Sequence, residues 1–142
     1  MPSFSPKSLS QLTTCHEELQ AIFHVVVKGF DCSVICGHRD KAEQDRVFSE
    51  KRSKVEWPNS KHNSYPSMAV DVGPYPAVKN WIDIKAFNDF GFYVKGVAAV
   101  MLERGDIEHK LRWGGDWDGD HDTTDQKFDD LVHFELIPVK RP

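Results

Sequence analysis

The chain has 142 residues, 39% of them hydrophobic and 28% charged, and a net charge of -4. That length suits one compact domain with an ordinary core, and the charge balance lacks the basic face that nucleic-acid binding requires. The longest apolar stretches, near Ala21–Val27 and Val97–Leu102, are too short to span a bilayer, and Met1–Ser10 carries no apolar signal core, so the sequence predicts a protein made and folded in a cytoplasm without membrane insertion. In chain order, Ser8–Lys28 reads as the first helix. Leu9, Leu12, Leu19, Ile22, Phe23 and Val26 recur at helical spacing, Ser8 and Gln11 form a candidate capping box, and Gly29 ends the run. Phe30–Cys36 reads as a strand. Cys32 and Cys36, with His38 just after, invite a metal reading, but Cys-Ser-Val-Ile-Cys fits a buried strand better, with cysteine as a small hydrophobe. Three cysteines, an odd number, do not suggest a disulfide scaffold.

Asp40 reads as an N-cap, with Glu43 three residues on, opening a helix to about Glu50. Lys51–Pro66 is polar and carries Pro58 and Pro66, so it reads as loop, and Met68–Val72 as a short strand before Pro74 and Pro76. Asn80–Phe90 and Val94–Arg104 read as two helices joined at Gly91. Leu111–Trp113 is a short strand, Gly114–Thr124 a loop rich in Gly and Asp, Gln126–Asp130 a turn, and Leu131–Val139 a final alternating strand. No repeat or linker divides residues 1–142. The order of elements predicts a small α+β single domain, with N-terminal helices packed on an antiparallel sheet.

Two distant segments hold metal-ligand chemistry. One runs from Ser60-Lys61-His62 to Ala69-Val70-Asp71, and the other is Asp130-Leu131-Val132-His133-Phe134-Glu135. Zinc takes imidazole nitrogen and carboxylate oxygen, and a catalytic zinc keeps three protein ligands and one open position. His62, Asp71 and His133 meet that count. On a strand His133 and Glu135 share one face, while Val132, Phe134 and Leu136 share the other and would pack on the core. Asp130, where the chain turns into that strand, can sit beside a metal without ligating it, as a general base must.

These segments resemble the peptidase family of D-alanyl-D-alanine carboxypeptidases and phage L-alanyl-D-glutamate endopeptidases. The resemblance lies in Ser60 and His62, then Ala69 and Asp71, then Asp130 and His133. The His62-to-Asp71 interval is slightly longer than the common form, through Tyr65-Pro66-Ser67. Asp rather than Glu before the last His, and Trp113-Gly114-Gly115-Asp116-Trp117, resemble the phage branch. Gly37-His38-Arg39 with Gln44 resembles a further family segment. It implies that Arg39 faces the site, where a guanidinium can stabilise a developing oxyanion, with Gln44 and Ser60 as substrate-side residues. Ser60 also reads as a turn former.

The resemblance implies a zinc endolysin that cuts the L-alanyl–D-glutamate bond of peptidoglycan stem peptides during host lysis. It implies a monomer without a separate wall-binding module, held in the host cytoplasm until a separate pore protein releases it to the cell wall. The rivals are a D-alanyl-D-alanine carboxypeptidase or dipeptidase and a non-catalytic zinc-containing binding domain. Asp116, Asp118, Asp120 and Asp122, with Asp125 beyond, alternate around Gly119 like the start of a calcium loop, although no full EF-hand pattern is present. They read either as a regulatory calcium site or as a solvated acidic loop.

Overall fold

Helix α2 (Glu17–Gly29) places Leu19, Ile22, Phe23, Val26 and Val27 on one buried stripe, the spacing of an amphipathic helix. The computed structural model describes residues 2–124, 126 and 129–140. Asp125 and most of the turn expected between Gln126 and Asp130 lie outside them. In the described residues α1 (Pro6–Leu12) precedes α2, and the chain continues through β1 (Cys32–Cys36), α3 (Lys41–Ser49), β2 (Ala69–Pro74), α4 (Ile84–Glu103), β3 (Lys110–Gly114) and β4 (Asp130–Ile137). Two short 3-10 turns, Lys61–Asn63 and Ala77–Lys79, flank β2. The strands form one sheet in the order β1-β2-β4-β3, with every neighbouring pair antiparallel. This is the α+β arrangement the element order predicts.

The first helix is two helices rather than the single Ser8–Lys28 run. Backbone bonds from Ser67 N–H to the Thr14 carbonyl, and from His16 N–H to the Ser67 carbonyl, tie the chain to the segment leading into β2. His16 then caps α2, its Nδ1 accepting the Glu18 N–H at 3.0 Å. The expected capping box at Ser8 is absent. Ser5 caps α1, the Ser8 hydroxyl accepts the Val34 N–H, and Gln11 Oε1 accepts the Gly37 N–H. The two helices expected to meet at Gly91 are one, α4. It starts where the Asp83 side chain accepts the Ala86 N–H and buries Phe87, Phe90, Gly91, Val94, Ala98 and Met101. Gly91 is a point of close approach rather than a joint, because a Cβ there would collide with the Trp113 indole.

The core lies between the helices and one face of the sheet. Phe134 is fully buried at its centre, its ring 5.4 Å from Phe23, 6.0 Å from Phe90 and 6.4 Å from Trp113. Of the strand expected to be buried, Cys32 and Val34 are buried while Ile35 is exposed and Cys36 half-buried, because one face of this edge strand is uncovered; all three cysteines are free thiols. With the odd-numbered neighbours of Phe134 turned the other way, the second face of β4 is left to form a cleft. No helix among the described residues is long and apolar enough to cross a membrane.

Candidate active site

The cleft, of about 570 Å³, is lined by Arg39, Ser60, His62, Asp71, Arg112, Trp117, Asp130 and His133, with further residues of the loop after α3. Strand register assembles its floor. Asp71 on β2 and His133 on β4 are direct cross-strand partners, as are Ala69 and Glu135. Residues opposite each other in an antiparallel pair project to the same face. His62 arrives from the 3-10 turn, where the Ser60 hydroxyl accepts the His62 N–H and Asn63 Oδ1 accepts the Ser60 N–H. The Arg39 N–H donates to the His62 carbonyl at 2.7 Å, fixing that turn against the end of β1.

His62, Asp71 and His133 each present one ligand atom within 4.8 Å of the others. His62 Nε2 lies 3.2 Å and His133 Nδ1 3.4 Å from the same oxygen, Asp71 Oδ1. The remaining ring nitrogens are occupied by the protein. His62 Nδ1 donates to the Gly37 carbonyl at 2.7 Å, and His133 Nε2 donates to Glu135 Oε1 at 2.7 Å. Each imidazole is thereby oriented to offer its other lone pair to the same point, as metal-binding histidines are. Two imidazole nitrogens and one carboxylate oxygen are a donor set suited to zinc, and three protein ligands leave a position open.

Electrostatics focus on Asp71. Burial alone would raise its pKa, but the two imidazoles hold its carboxyl far below the usual carboxylate range. Burial would lower both histidines, yet Asp71 raises His62 to about 10 and, with help from Glu135, His133 to about 9. The imidazole protons drawn to Asp71 stand where a bound cation would replace them. Asp130, the first residue of β4, brings Oδ2 to 4.0 Å from His133 Nδ1. Burial and the Asp71 charge raise its proton affinity.

Arg39 reaches the cleft with Nη2 at 3.8 Å from Asp71 Oδ2. Gln44, read as a substrate-side residue, is fully buried and works behind Arg39 instead. Its Oε1 accepts from Arg39 Nη1 at 2.9 Å and from Asn63 Nδ2 at 3.1 Å, while its Nε2 donates to Ser53 Oγ and the Val55 carbonyl. Ser60 lines the cleft and also caps the His62 turn. Of the extra length between His62 and Asp71, Tyr65 and Pro66 turn outward, with the Tyr65 ring edge-on to His38, whereas Ser67 is fully buried.

Sequence reading placed Glu135 on the right face but gave it no part in the site. It is buried, and its Oε2 takes Arg112 Nη2 at 2.7 Å and lies 3.6 Å from Lys61 Nζ. Burial would raise its pKa, but the bonds from His133 and Arg112 hold it at about 2. The signal was present in the alternation of β4, where His133 and Glu135 are two residues apart. In the acidic loop, Asp116, Asp118 and Asp120 come together, whereas Asp122 turns to Thr124 and accepts its N–H. Asp116 is fully buried, with Oδ2 accepting the His121 N–H and facing Lys95 Nζ at 3.4 Å.

The family model described as phage L-alanyl-D-glutamate peptidase matches residues 2–137. No match was found among curated protein sequences. Among solved structures, the Serratia marcescens L-Ala D-Glu endopeptidase ChiX is similar with a TM-score of 0.66 and 22% identity, over 96% of this chain and 91% of that one. The vancomycin-resistance D,D-dipeptidase VanXYg, solved with a D-Ala-D-Ala phosphinate analogue, is similar with a TM-score of 0.51 and 20% identity. That match covers 86% of this chain and about half, 48%, of that one. These likenesses support the fold, and the match over nearly the whole sequence assigns the family: the chain belongs to the phage L-alanyl-D-glutamate peptidases.

Proposed function

We propose that the protein is a zinc endopeptidase that cleaves the L-alanyl–D-glutamate bond of peptidoglycan stem peptides, with His62, Asp71 and His133 as the metal ligands. The observation that carries this reading is the convergence of their three ligand atoms on the cleft floor, with both remaining imidazole nitrogens committed to Gly37 and Glu135. A zinc ion held there supplies Lewis-acid polarisation of the scissile carbonyl and lowers the pKa of the attacking water.

The chain's own residues do the rest. Asp130 takes the proton of the attacking water and returns it to the leaving amine. Its raised proton affinity, from burial and the Asp71 charge, suits both transfers. Arg39 faces the carbonyl oxygen as charge develops on it, and the Gln44 bond holds the guanidinium in place before substrate arrives. The same chemistry serves a D-alanyl-D-alanine peptidase, a fold relative, so the bond is settled by product analysis. Mass spectrometry of peptidoglycan digested by the zinc-loaded protein is expected to show new N-terminal D-glutamate. Released D-alanine would replace the proposal with a D,D-peptidase, and no cleavage with zinc bound would favour a binding domain.

In this reading the enzyme acts in host lysis as a monomer and reaches the wall after release through a separate membrane pore. A regulatory calcium site in the acidic loop is a second element of the proposal. The observation that favours it is Asp116 Oδ1, which is buried without a hydrogen-bond partner among the described residues. The Asp120 N–H stabilises the Asp118 carboxylate, but desolvation and the carboxylates of Asp120 and Asp116 push its pKa up. A cation would relieve that crowding. Equal activity of the zinc-loaded enzyme with and without calcium would remove this site from the proposal.

A further inference from the structure

Alternation along β3 turns Leu111 and Trp113 into the core and Arg112 into the cleft wall, directly opposite Glu135 of β4. The guanidinium is held in two ways. Its Nη2 donates to Glu135 Oε2 at 2.7 Å, and its Cζ lies 5.7 Å from the centroid of the Trp117 ring. That ring is in turn 5.6 Å from the His133 ring, so Arg112 stands one side chain away from the proposed zinc ligands. Among the described residues Glu135 is the sole hydrogen-bond acceptor of Arg112, whose side chain remains 39% exposed and whose Nε is buried without a partner. One edge of the planar fork is therefore fixed, and among the described residues its exposed remainder meets no acceptor.

The local charge count has the same sense. Glu135 faces both Arg112 and Lys61, whose Nζ is 3.6 Å away, and it also accepts the His133 Nε2 proton. With His133 neutral as a ligand, two cations surround one carboxylate and leave one positive charge facing the cleft. Two other cations of the wall are held within the protein: Arg39 by Gln44 and Asp71, and Arg52 by Glu50.

Building on the endopeptidase reading, we propose that Arg112, assisted by Lys61, is the subsite for a free substrate carboxylate, that of the D-glutamate residue on the leaving side of the bond. Glutamate carries two carboxyl groups. Whichever continues the peptide, the other stays free within a few bonds of the scissile nitrogen. A planar fork with an unmatched charge recognises such a group and discriminates against its carboxamide, which offers one acceptor and no charge.

The test uses two substrates: an L-alanyl-D-glutamyl peptide and the same peptide with the free carboxyl converted to a carboxamide. The zinc-loaded wild type is expected to prefer the carboxylate by about 10- to 100-fold in kcat/KM, the scale of one or two charged hydrogen bonds. Arg112→Met removes that preference by lowering cleavage of the carboxylate peptide more than that of the carboxamide, and Arg112→Lys restores part of it. Calorimetric binding of the D-glutamyl product peptide to the metal-free protein gives a readout apart from catalysis. It is expected to weaken about tenfold in Arg112→Met, with the carboxamide product unaffected. An equal loss on both substrates would overturn the subsite and leave Arg112 as a support for Glu135 and His133. Absence of cleavage with binding discrimination intact would overturn the choice of bond but uphold the subsite, and loss of both would overturn both.

Discussion

Each histidine of the candidate site commits one ring nitrogen to the protein and turns the other to Asp71, so the ligand set and its support are separable by mutation. Asp130 touches the group without belonging to it, at 4.0 Å from His133 Nδ1. Asp130→Asn is therefore expected to bind one zinc per chain and to lose activity by about 10²- to 10⁴-fold, the usual contribution of a general base. His133→Ala is expected to lose the zinc itself. Metal analysis of both variants after dialysis decides the matter: a zinc-free Asp130→Asn or a zinc-replete His133→Ala would reverse the two roles. Glu135 acts one shell further out, since its bond to His133 Nε2 sets which nitrogen is offered. Glu135→Ala is expected to weaken zinc binding by about 10- to 100-fold, measured by competition with a chelator. Unchanged affinity would mean that packing alone orients His133.

At the scale of elements, α4 and β3 meet through two glycines. The Trp113 indole is buried between Gly91 and Gly115, either of which would strike it with a Cβ, while its Nε1 donates to the Leu131 carbonyl. Alanine at position 91 gains about 1 kcal/mol of helix propensity, but overpacking against a fixed, fully buried ring costs about 1–3 kcal/mol. With backbone on one side and an indole anchored by a hydrogen bond on the other, the cost wins, and Gly91→Ala is expected to destabilise. Gly96, on the same helix, has nothing near its absent Cβ. Gly96→Ala should then stabilise by up to about 1 kcal/mol, and urea melts of the pair expose the difference. Both variants shifting the same way would refute the packing argument. This contrast also marks how far the sequence could be read. That His62, Asp71 and His133 come together was legible from ligand chemistry joined to a family resemblance, both carried by short local patterns, and the strands were legible because alternation is local. The break before α2 depends on Ser67, and the continuity of α4 depends on Trp113, which are distant in the chain. Arg112 opposite Glu135 and Gln44 behind Arg39 likewise follow from register and packing, which no local pattern records.

At the scale of the molecule, one carboxylate adds a polar tie between α2 and the turn that leads into β3, beside the apolar packing of Phe23 on Phe134. Glu18, in the first turn of α2, accepts the N–H groups of Glu108 at 2.7 Å and His109 at 3.0 Å on Oε1, and its Oε2 lies 3.0 Å from His109 Nδ1. These bonds close a loop of about ninety residues, so they constrain the chain globally rather than within one element. Burial pushes the Glu18 pKa up, but the backbone N–H groups and His109 outweigh it and leave the carboxyl below its ordinary value. A carboxyl that titrates lower in the folded than in the unfolded chain stabilises fully above its unfolded pKa, and that contribution fades as pH falls through the folded pKa. Glu18→Gln keeps an acceptor for the backbone but loses the charge. It is expected to cost about 1–2 kcal/mol at pH 7, where charged hydrogen bonds are replaced by neutral ones. Against wild type the deficit should begin to shrink as pH falls to the ordinary glutamate pKa and vanish once the wild-type carboxyl is protonated. Urea melts of the metal-free proteins across that range test this without interference from zinc release. A deficit that persists undiminished in acid would show that shape, and not the charge of Glu18, links the two halves of the fold.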